Sequence, residues 1–310
     1  MENYDIIGDI HGFVAPLKAL LAKLGYTINS QGYYSHPNRK VIFLGDFIDR
    51  GDTQKEVLEI VMQMVKYKSA LAIMGNHEFN ALAYHARHPV TDKPLRTHSD
   101  NHNNQHQAFL DTYQNNPDEL QRILEWFKTL PLFLELPELR VIHACWNQQA
   151  IDTIKPILDK QHCLNNQFLI DATDKTHPYN DIIEILLKGM EIDLPEGVYF
   201  KDSYGYARSR IRIKWWSTNA KTYQDYALVA ASAMDQIPQT LLTEQQKKMT
   251  YADTEIPVFF GHYWFSGQPN IQKNNVACLD YSIAKKGKLV AYCWNQGDGD
   301  LSNERFVWVD

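Results

Sequence analysis

Cysteine is scarce in this chain, and the few residues present are scattered. Cys145, Cys163, Cys278 and Cys293 are the only four among 310 residues. No two of them form a CxxC pair, which argues against a disulfide framework or a thiolate zinc site. A reducing, cytoplasmic setting is the expectation. Long apolar runs are missing too: none approaches the roughly 18 residues of a membrane span. The opening Met1–Asp5 lacks the basic and apolar regions of a signal peptide. Positive charge is in deficit, with 31 basic against 37 acidic side chains and a net charge of −6. No broad nucleic-acid or anionic-membrane footprint is therefore expected. The GxSxG elbow and the CxxxxxR loop are also absent, which leaves no evident protein nucleophile.

What the chain does contain is a series of glycine-flanked polar motifs, each placed after an apolar run. They are GDIHG at 8–12, GDFIDRG at 45–51 and GNHE at 75–78, followed by the separate histidines His143 and His262. Tyr4–Gly8, 41–44, 70–74 and 139–142 read as strands, and 256–260, 275–281, 288–294 and 305–309 as later ones. Between the early strands, Phe13–Leu24 and Thr53–Tyr67 carry leucine, valine and isoleucine at helical spacing. Two successive βαβ units predict an α/β fold with a largely parallel sheet covered by helices, and ligand groups at the carboxyl ends of its strands.

Residues 79–135 read as mostly helical, interrupted by a His/Asn-rich stretch at 97–107. Between His143 and His262 lie 118 residues of mixed pattern. The expected arrangement is one domain, 1–310, in which 147–255 is an insertion that shapes a cleft.

The motif residues suit metal ligation. Asp9 and His11 stand at i and i+2, so on extended chain their side chains face the same way. Asp46 ends the second strand with two carboxylate oxygens able to bridge two cations. Asn76 adds an amide oxygen, and His143 and His262 add imidazole nitrogens. Such an O/N set suits manganese, iron or zinc better than magnesium or calcium. Any one motif alone could be a capped turn or a core histidine; five in order at strand ends point to a pair of divalent ions.

These segments resemble the phosphoprotein-phosphatase branch of the calcineurin-like metallophosphoesterases, with the bacterial diadenosine-tetraphosphatase-like and protein-phosphatase-like members nearest. The resemblance runs over about residues 4–80 and touches 139–146 and 256–294. It implies a four-layer αββα sandwich with the long insertion between the fourth and fifth motifs. It also implies Asp9, His11 and Asp46 on one metal, manganese foremost with iron or zinc as alternatives. Asp46, Asn76, His143 and His262 fall on the second. The run His143-Ala144-Cys145-Trp146 departs from the small residues usual after the fourth-motif histidine, which leaves the local cleft shape open. Cys145 is expected to be buried and inert rather than an oxidation site.

The same reading supplies a reaction. A hydroxide held between two ions about 3.5–4 Å apart would attack phosphorus in line, and His77, oriented by Asp49, would protonate the leaving group. Arg50 would hold the equatorial phosphoryl oxygens. Arg208, Arg210, Arg212 and Lys214 alternate with Ser209, Ile211 and Ile213, and Arg212 is taken as a second clamp. Tyr281 is placed either near the phosphate or at the core edge. His85, His88, His98, His102 and His106 match no ligand spacing and read as polar surface. The substrate is a phosphoprotein or a dinucleoside polyphosphate, with Trp146, Trp215, Trp216 and Trp264 as surfaces for a base. The contrasting class is a non-catalytic scaffold that binds protein.

Overall fold

The computed structural model describes residues 2–202, 205–247 and 250–310. Two β-sheets face one another. The first is a mixed sheet in which Asn3–Ile7, Arg39–Phe43 and Ala70–Ala72 run parallel. Lys288–Trp294 then pairs antiparallel to Asn3–Ile7 and, farther along the same edge, to Asp280–Tyr281, while Phe306–Val309 pairs antiparallel along its other edge. The second sheet orders Val276–Cys278, Val258–Phe260, Arg140–Ile142 and Phe133–Glu135, its first three strands parallel. The early strands are parallel as the sequence suggested. Only the last strands, from Asp280–Tyr281 onward, close the first sheet in antiparallel fashion, because short turns rather than long helical crossovers connect them.

Strand alternation divides the interior. Ile6 and Ile42 point between the sheets, where they pack with Val141, Phe259, Ala277 and Val290. Ile7, Val41 and Phe43 point the other way, against the helices Val14–Lys23 and Gln54–Lys66. On the outer side of the second sheet, Phe260 meets Trp215 with ring centroids 5.0 Å apart. Leu169, Leu186, Ile211 and Tyr226 extend the same apolar mass. The layers are therefore helix, sheet, sheet, helix. Both strand faces are buried, which explains the unbroken apolar runs.

The region 97–107 corrects the sequence reading. The break in the helices falls earlier, over 86–99, and Asp100–Tyr113 is a helix whose N-cap is Ser99, its hydroxyl accepting from the His102 amide at 3.3 Å. The tryptophans are a second correction. Trp146, Trp215 and Trp216 are buried in the core, where the flanking sheet and helices leave no room for a ligand ring. Cys145 is likewise buried, and burial pushes its thiol well above the ordinary range, as the sequence suggested for an inert residue. Among the described residues, no helix is long and apolar enough to cross a membrane.

One buried ion pair ties three strands of the first sheet. The Arg39 guanidinium donates to both Asp5 oxygens at 2.9 Å, to Tyr4 O at 2.7 Å, to Trp294 O at 3.0 Å and to Asn295 Oδ1 at 2.6 Å. Tyr26 adds a hydroxyl to Asp5 at 3.0 Å. Removal of the arginine would strand the fully buried Asp5 carboxylate. Arg39→Ala is expected to lower stability by about 3–5 kcal/mol in denaturant melts, while Asp5→Asn/Arg39→Gln should recover part of that loss.

Candidate active site

The parallel strands of both sheets end on the same edge, and each is followed by a polar loop. Asn3–Ile7 leads to Asp9 and His11, and Arg39–Phe43 to Asp46, Asp49 and Arg50. Ala70–Ala72 leads to the helix Asn76–His85, which starts at Asn76 and His77. In the second sheet, His143, His262 and Asp280 follow Arg140–Ile142, Val258–Phe260 and Val276–Cys278.

The loops are locked together by backbone bonds. The amides of Ile10 and His11 both donate to Asp46 O, at 3.1 and 2.8 Å, and Gly51 N donates to His11 O at 2.8 Å. Glu78 completes the lock: its Oε2 accepts from Asp46 N at 2.8 Å and Gly75 N at 3.0 Å, and its Oε1 from Phe47 N at 2.8 Å. Burial pushes the Glu78 carboxyl up to about 7, helped by the charge of Asp46, while the amides oppose the shift.

Left-handed backbone at non-glycine residues concentrates in these loops. His11, Asp46, Asp49, Arg50, His262 and Trp264 all have φ between 49° and 73°. Each such residue costs on the order of 1–2 kcal/mol, and a cluster of them at strand ends is characteristic of a functional site. Glycine is needed where backbone meets carboxylate. A methyl at Gly75 would overlap Asp46 Oδ1, and one at Gly261 would overlap Asp9 Oδ1.

Asp46 is the centre of the cluster. Its Oδ2 faces His143 Nε2 at 3.4 Å, His11 Nε2 at 3.7 Å and His77 Nε2 at 3.9 Å. Its Oδ1 accepts from the His77 amide at 2.9 Å. Burial alone would raise this carboxyl, yet His143 and His77 hold it well below the usual range. Asn76 Oδ1 lies 3.0 Å from His143 Nε2 and 2.7 Å from His262 Nδ1. Asp9 accepts the His262 amide on both oxygens, at 3.3 and 3.1 Å, and its burial with Asp280 nearby pushes it well above the ordinary range.

These residues fit a pair of cations. His143 Nδ1 lies 2.7 Å from Leu44 O and His11 Nδ1 lies 3.1 Å from Ile48 O. A carbonyl partner fixes the proton on Nδ1 and turns the Nε2 lone pair inward. His11 Nε2 is buried and has no hydrogen-bond partner. Three buried carboxylates, Asp9, Asp46 and Asp280, share this pocket; without compensating cations each would carry a large burial cost. Two ligand-capable groups share Asp46: His11 with His77, and His143 with His262. The second group gathers two imidazoles expected as ligands, and the first sets His11 beside His77, which was expected as the acid.

His77 is oriented by a buried carboxylate. Its Nδ1 is 2.5 Å from Asp49 Oδ2, which leaves Nε2 toward the cavity. The other Asp49 oxygen is taken by His106 Nδ1 at 2.9 Å, and Gln54 Oε1 accepts the Asp49 amide at 3.0 Å. Against its burial, the hydrogen bonds from His106 and His77 hold the Asp49 carboxyl far below its usual value. His106 was read as surface and is instead buried. Its spacing offered a clue: His106, Phe109 and Tyr113 share one face of the helix and are all buried.

The cavity beside the cluster encloses about 320 Å³ and is walled by Arg50, Arg96, Lys188, His106, Asn80 and Trp264 besides the ligand groups. Arg212 is not among its lining residues. The strand Arg210–Arg212 pairs with Glu191–Asp193 and turns Ile211 inward, so the arginines face the carboxylates of that hairpin: Arg210 to Asp193 at 3.3 Å and Arg212 to Glu191 at 3.8 Å. Arg212 stays near enough to His262 to reinforce the lowering that burial imposes on that imidazole. Arg96 and Lys188 take the cavity position instead. Of the two positions left open for Tyr281, the core edge is the one it takes: its hydroxyl accepts from Asn270 N at 2.9 Å, and its ring packs near Phe265.

Comparison with known proteins places these motifs. Residues 3–195 match the family model described as calcineurin-like phosphoesterase. The chain is 36% identical over 141 residues to a bis(5'-nucleosyl)-tetraphosphatase of Oceanobacillus iheyensis, covering 45% of this chain and 54% of that protein. It is 45% identical over 76 residues to the same-named protein of Halalkalibacterium halodurans, covering 24% of this chain and 30% of the relative. The match thus spans about half of the first relative's length, and less of the second. A cold-active protein tyrosine phosphatase superposes with a TM-score of 0.51 at 18% identity, over 94% of this chain and 74% of that one, which speaks to fold alone.

The second histidine on Asp49 yields a prediction. His106→Ala should lower kcat roughly tenfold with metal content unchanged, and His106→Asn, which keeps an N–H donor, should restore part of it. Steady-state kinetics with metal analysis of each variant decides.

Proposed function

The chain belongs to the calcineurin-like phosphoesterase family, and from that premise we propose that it hydrolyses a phosphate ester or anhydride with two divalent ions. The observation that carries this reading is the convergence of His11, His77 and His143 on one Asp46 oxygen. Asp9, His11 and Asp46 would hold one ion, and Asp46, Asn76, His143 and His262 the other. Manganese suits this O/N donor set, with iron and zinc as alternatives. When bound, such a pair supplies positive charge for the phosphoryl oxygens and acidifies water to near neutrality.

The protein's own groups do the rest. Arg50, on the left-handed loop after Asp46, presents its guanidinium to the cavity and is suited to equatorial phosphoryl oxygens. His77 delivers the proton to the leaving oxygen from Nε2, while Asp49 fixes its other nitrogen. Burial works against the charged imidazole, but Asp46 and Asp49 more than offset it and raise its pKa. The core of the insertion 147–255 is continuous with that of the strands, in keeping with one domain, and Lys188 is its contribution to the cavity wall.

Among substrates, a dinucleoside polyphosphate is favoured over a phosphoprotein. Arg50 and Arg96 line the cavity, with Lys188 paired to Glu184 at its wall, and two relatives bear a tetraphosphatase name. The four free cysteines suit a reducing cytoplasm.

Two measurements test the assignment. Asp46→Asn should abolish both metal uptake and turnover, whereas His77→Ala should keep its metal and lose about 10²–10⁴ in kcat. A folded His77→Ala protein with unchanged turnover overturns the acid assignment. The pH profile gives the sign: activity should fall as pH rises through the His77 pKa. Because Asp49 raises that pKa, Asp49→Asn should move the alkaline limb to lower pH.

A further inference from the structure

The cavity at the strand ends is not the whole of the cleft. Trp264 forms part of its rim, and the same residue borders a second groove of about 710 Å³. That groove is lined by Ser266, Gln268, Lys285, Lys286, Lys288 and Trp308 among others, with no carboxylate among the described residues of its lining. Three lysines on one wall stand out in a chain whose net charge is −6. Lys288 is paired with Asp310 Oδ1 at 2.7 Å. Among the described residues, Lys285 and Lys286 have no carboxylate partner, and both are exposed.

The lysines are held by a defined turn. Ser282 and Lys286 both adopt left-handed backbone, at φ 62° and 61°, and the amides of Lys285 and Gly287 donate to Ser282 O at 2.8 and 3.0 Å. Lys285 Nζ lies 4.0 Å from the centre of the Trp264 ring, and the Arg50 guanidinium lies 5.5 Å from it. The rim is therefore bracketed by two cations, Arg50 from the catalytic cavity and Lys285 from the groove. Trp308, half-buried, adds a second ring to the groove lining, and aromatic rings of this kind are what bases stack on.

We infer that this groove is a second anion subsite, which holds the distal phosphates and one nucleoside of a dinucleoside polyphosphate whose scissile phosphoryl lies in the catalytic cavity. The inference rests on the hydrolase reading above and adds to it the residues that recognise the far half of the substrate. Cations continue from Arg50 across Trp264 to Lys285 and Lys286, the layout a chain of linked phosphates requires. The rings of Trp264 and Trp308 border that run, and a volume of several hundred Å³ is ordinary for a nucleotide-sized ligand. An acidic peptide would use the lysines but gain nothing from the two indoles.

The test compares two substrates in manganese-supplied enzyme: p-nitrophenyl phosphate, which reaches only the catalytic cavity, and diadenosine tetraphosphate. Lys285→Glu/Lys286→Glu should raise KM for diadenosine tetraphosphate about tenfold, with kcat and all p-nitrophenyl phosphate kinetics unchanged. The milder Lys285→Ala/Lys286→Ala should show the same pattern at smaller size, and the difference from wild type should shrink as salt is raised. Equal kinetics on diadenosine tetraphosphate, or parallel losses on both substrates, overturn the subsite. An increase confined to a phosphoserine peptide with acidic flanks also overturns it, in favour of a peptide groove. Should the wild type hydrolyse neither substrate, the catalytic reading fails on its own account. The subsite is then judged by calorimetric titration with diadenosine tetraphosphate: weaker binding by the double variant supports it, and equal or absent binding rejects it.

Discussion

One carboxylate organises the site. Asp46 lies at the end of a strand buried on both faces, and its Oδ2 is the single atom toward which His11, His77 and His143 all turn. Such a concentration of lone pairs and buried charge is unstable by itself. It exists because the surrounding backbone allows no other arrangement. Glu78 holds Asp46, Phe47 and Gly75 by their amides, and the Asp46 carbonyl in turn holds the His11 loop. The polar cluster is thus fastened by its own backbone.

The two-sheet architecture explains why residues so distant in sequence converge. Parallel strands deliver their carboxyl ends to one edge, and two sheets face to face bring two such edges together. Asp9, Asp46 and Asn76 come from the first sheet, and His143 and His262 from the second. Asp46 and Asn76 therefore sit at the seam, each in reach of groups from the opposite layer. The same seam accounts for Asp280, a third buried acid whose oxygens accept the Trp264 amide at 2.7 Å and the Ser282 amide at 2.9 Å. It carries the strand-end backbone that separates the catalytic cavity from the lysine groove.

Much of the site was legible because its ligand residues lie in short glycine-flanked motifs directly after apolar runs. Local sequence there encodes both the strand and the turn that follows it. The late strands were also found, but not their direction, which depends on pairing with the first strand rather than on any local pattern. His106 escaped notice because it reaches Asp49 from a helix more than fifty residues away, and its buried face shows only as a three- and seven-residue spacing to Phe109 and Tyr113. Arg212 was misplaced, and Tyr281 left between two positions, for a related reason. Alternation fixes which side of a strand a residue occupies, yet it says nothing about what stands opposite. For Arg212 that is the Glu191 hairpin, and for Tyr281 the Asn270 loop.

The distribution of indoles has an optical corollary. Of the seven tryptophans, Trp146, Trp215, Trp216 and Trp294 are sealed in the interior, while Trp264 stands at the mouth of the cleft beside two cations. The ultraviolet emission of this protein is accordingly dominated by blue-shifted chromophores that register only whether the chain is folded. A ligand seated at the rim would dim one component of that spectrum and leave its larger part untouched.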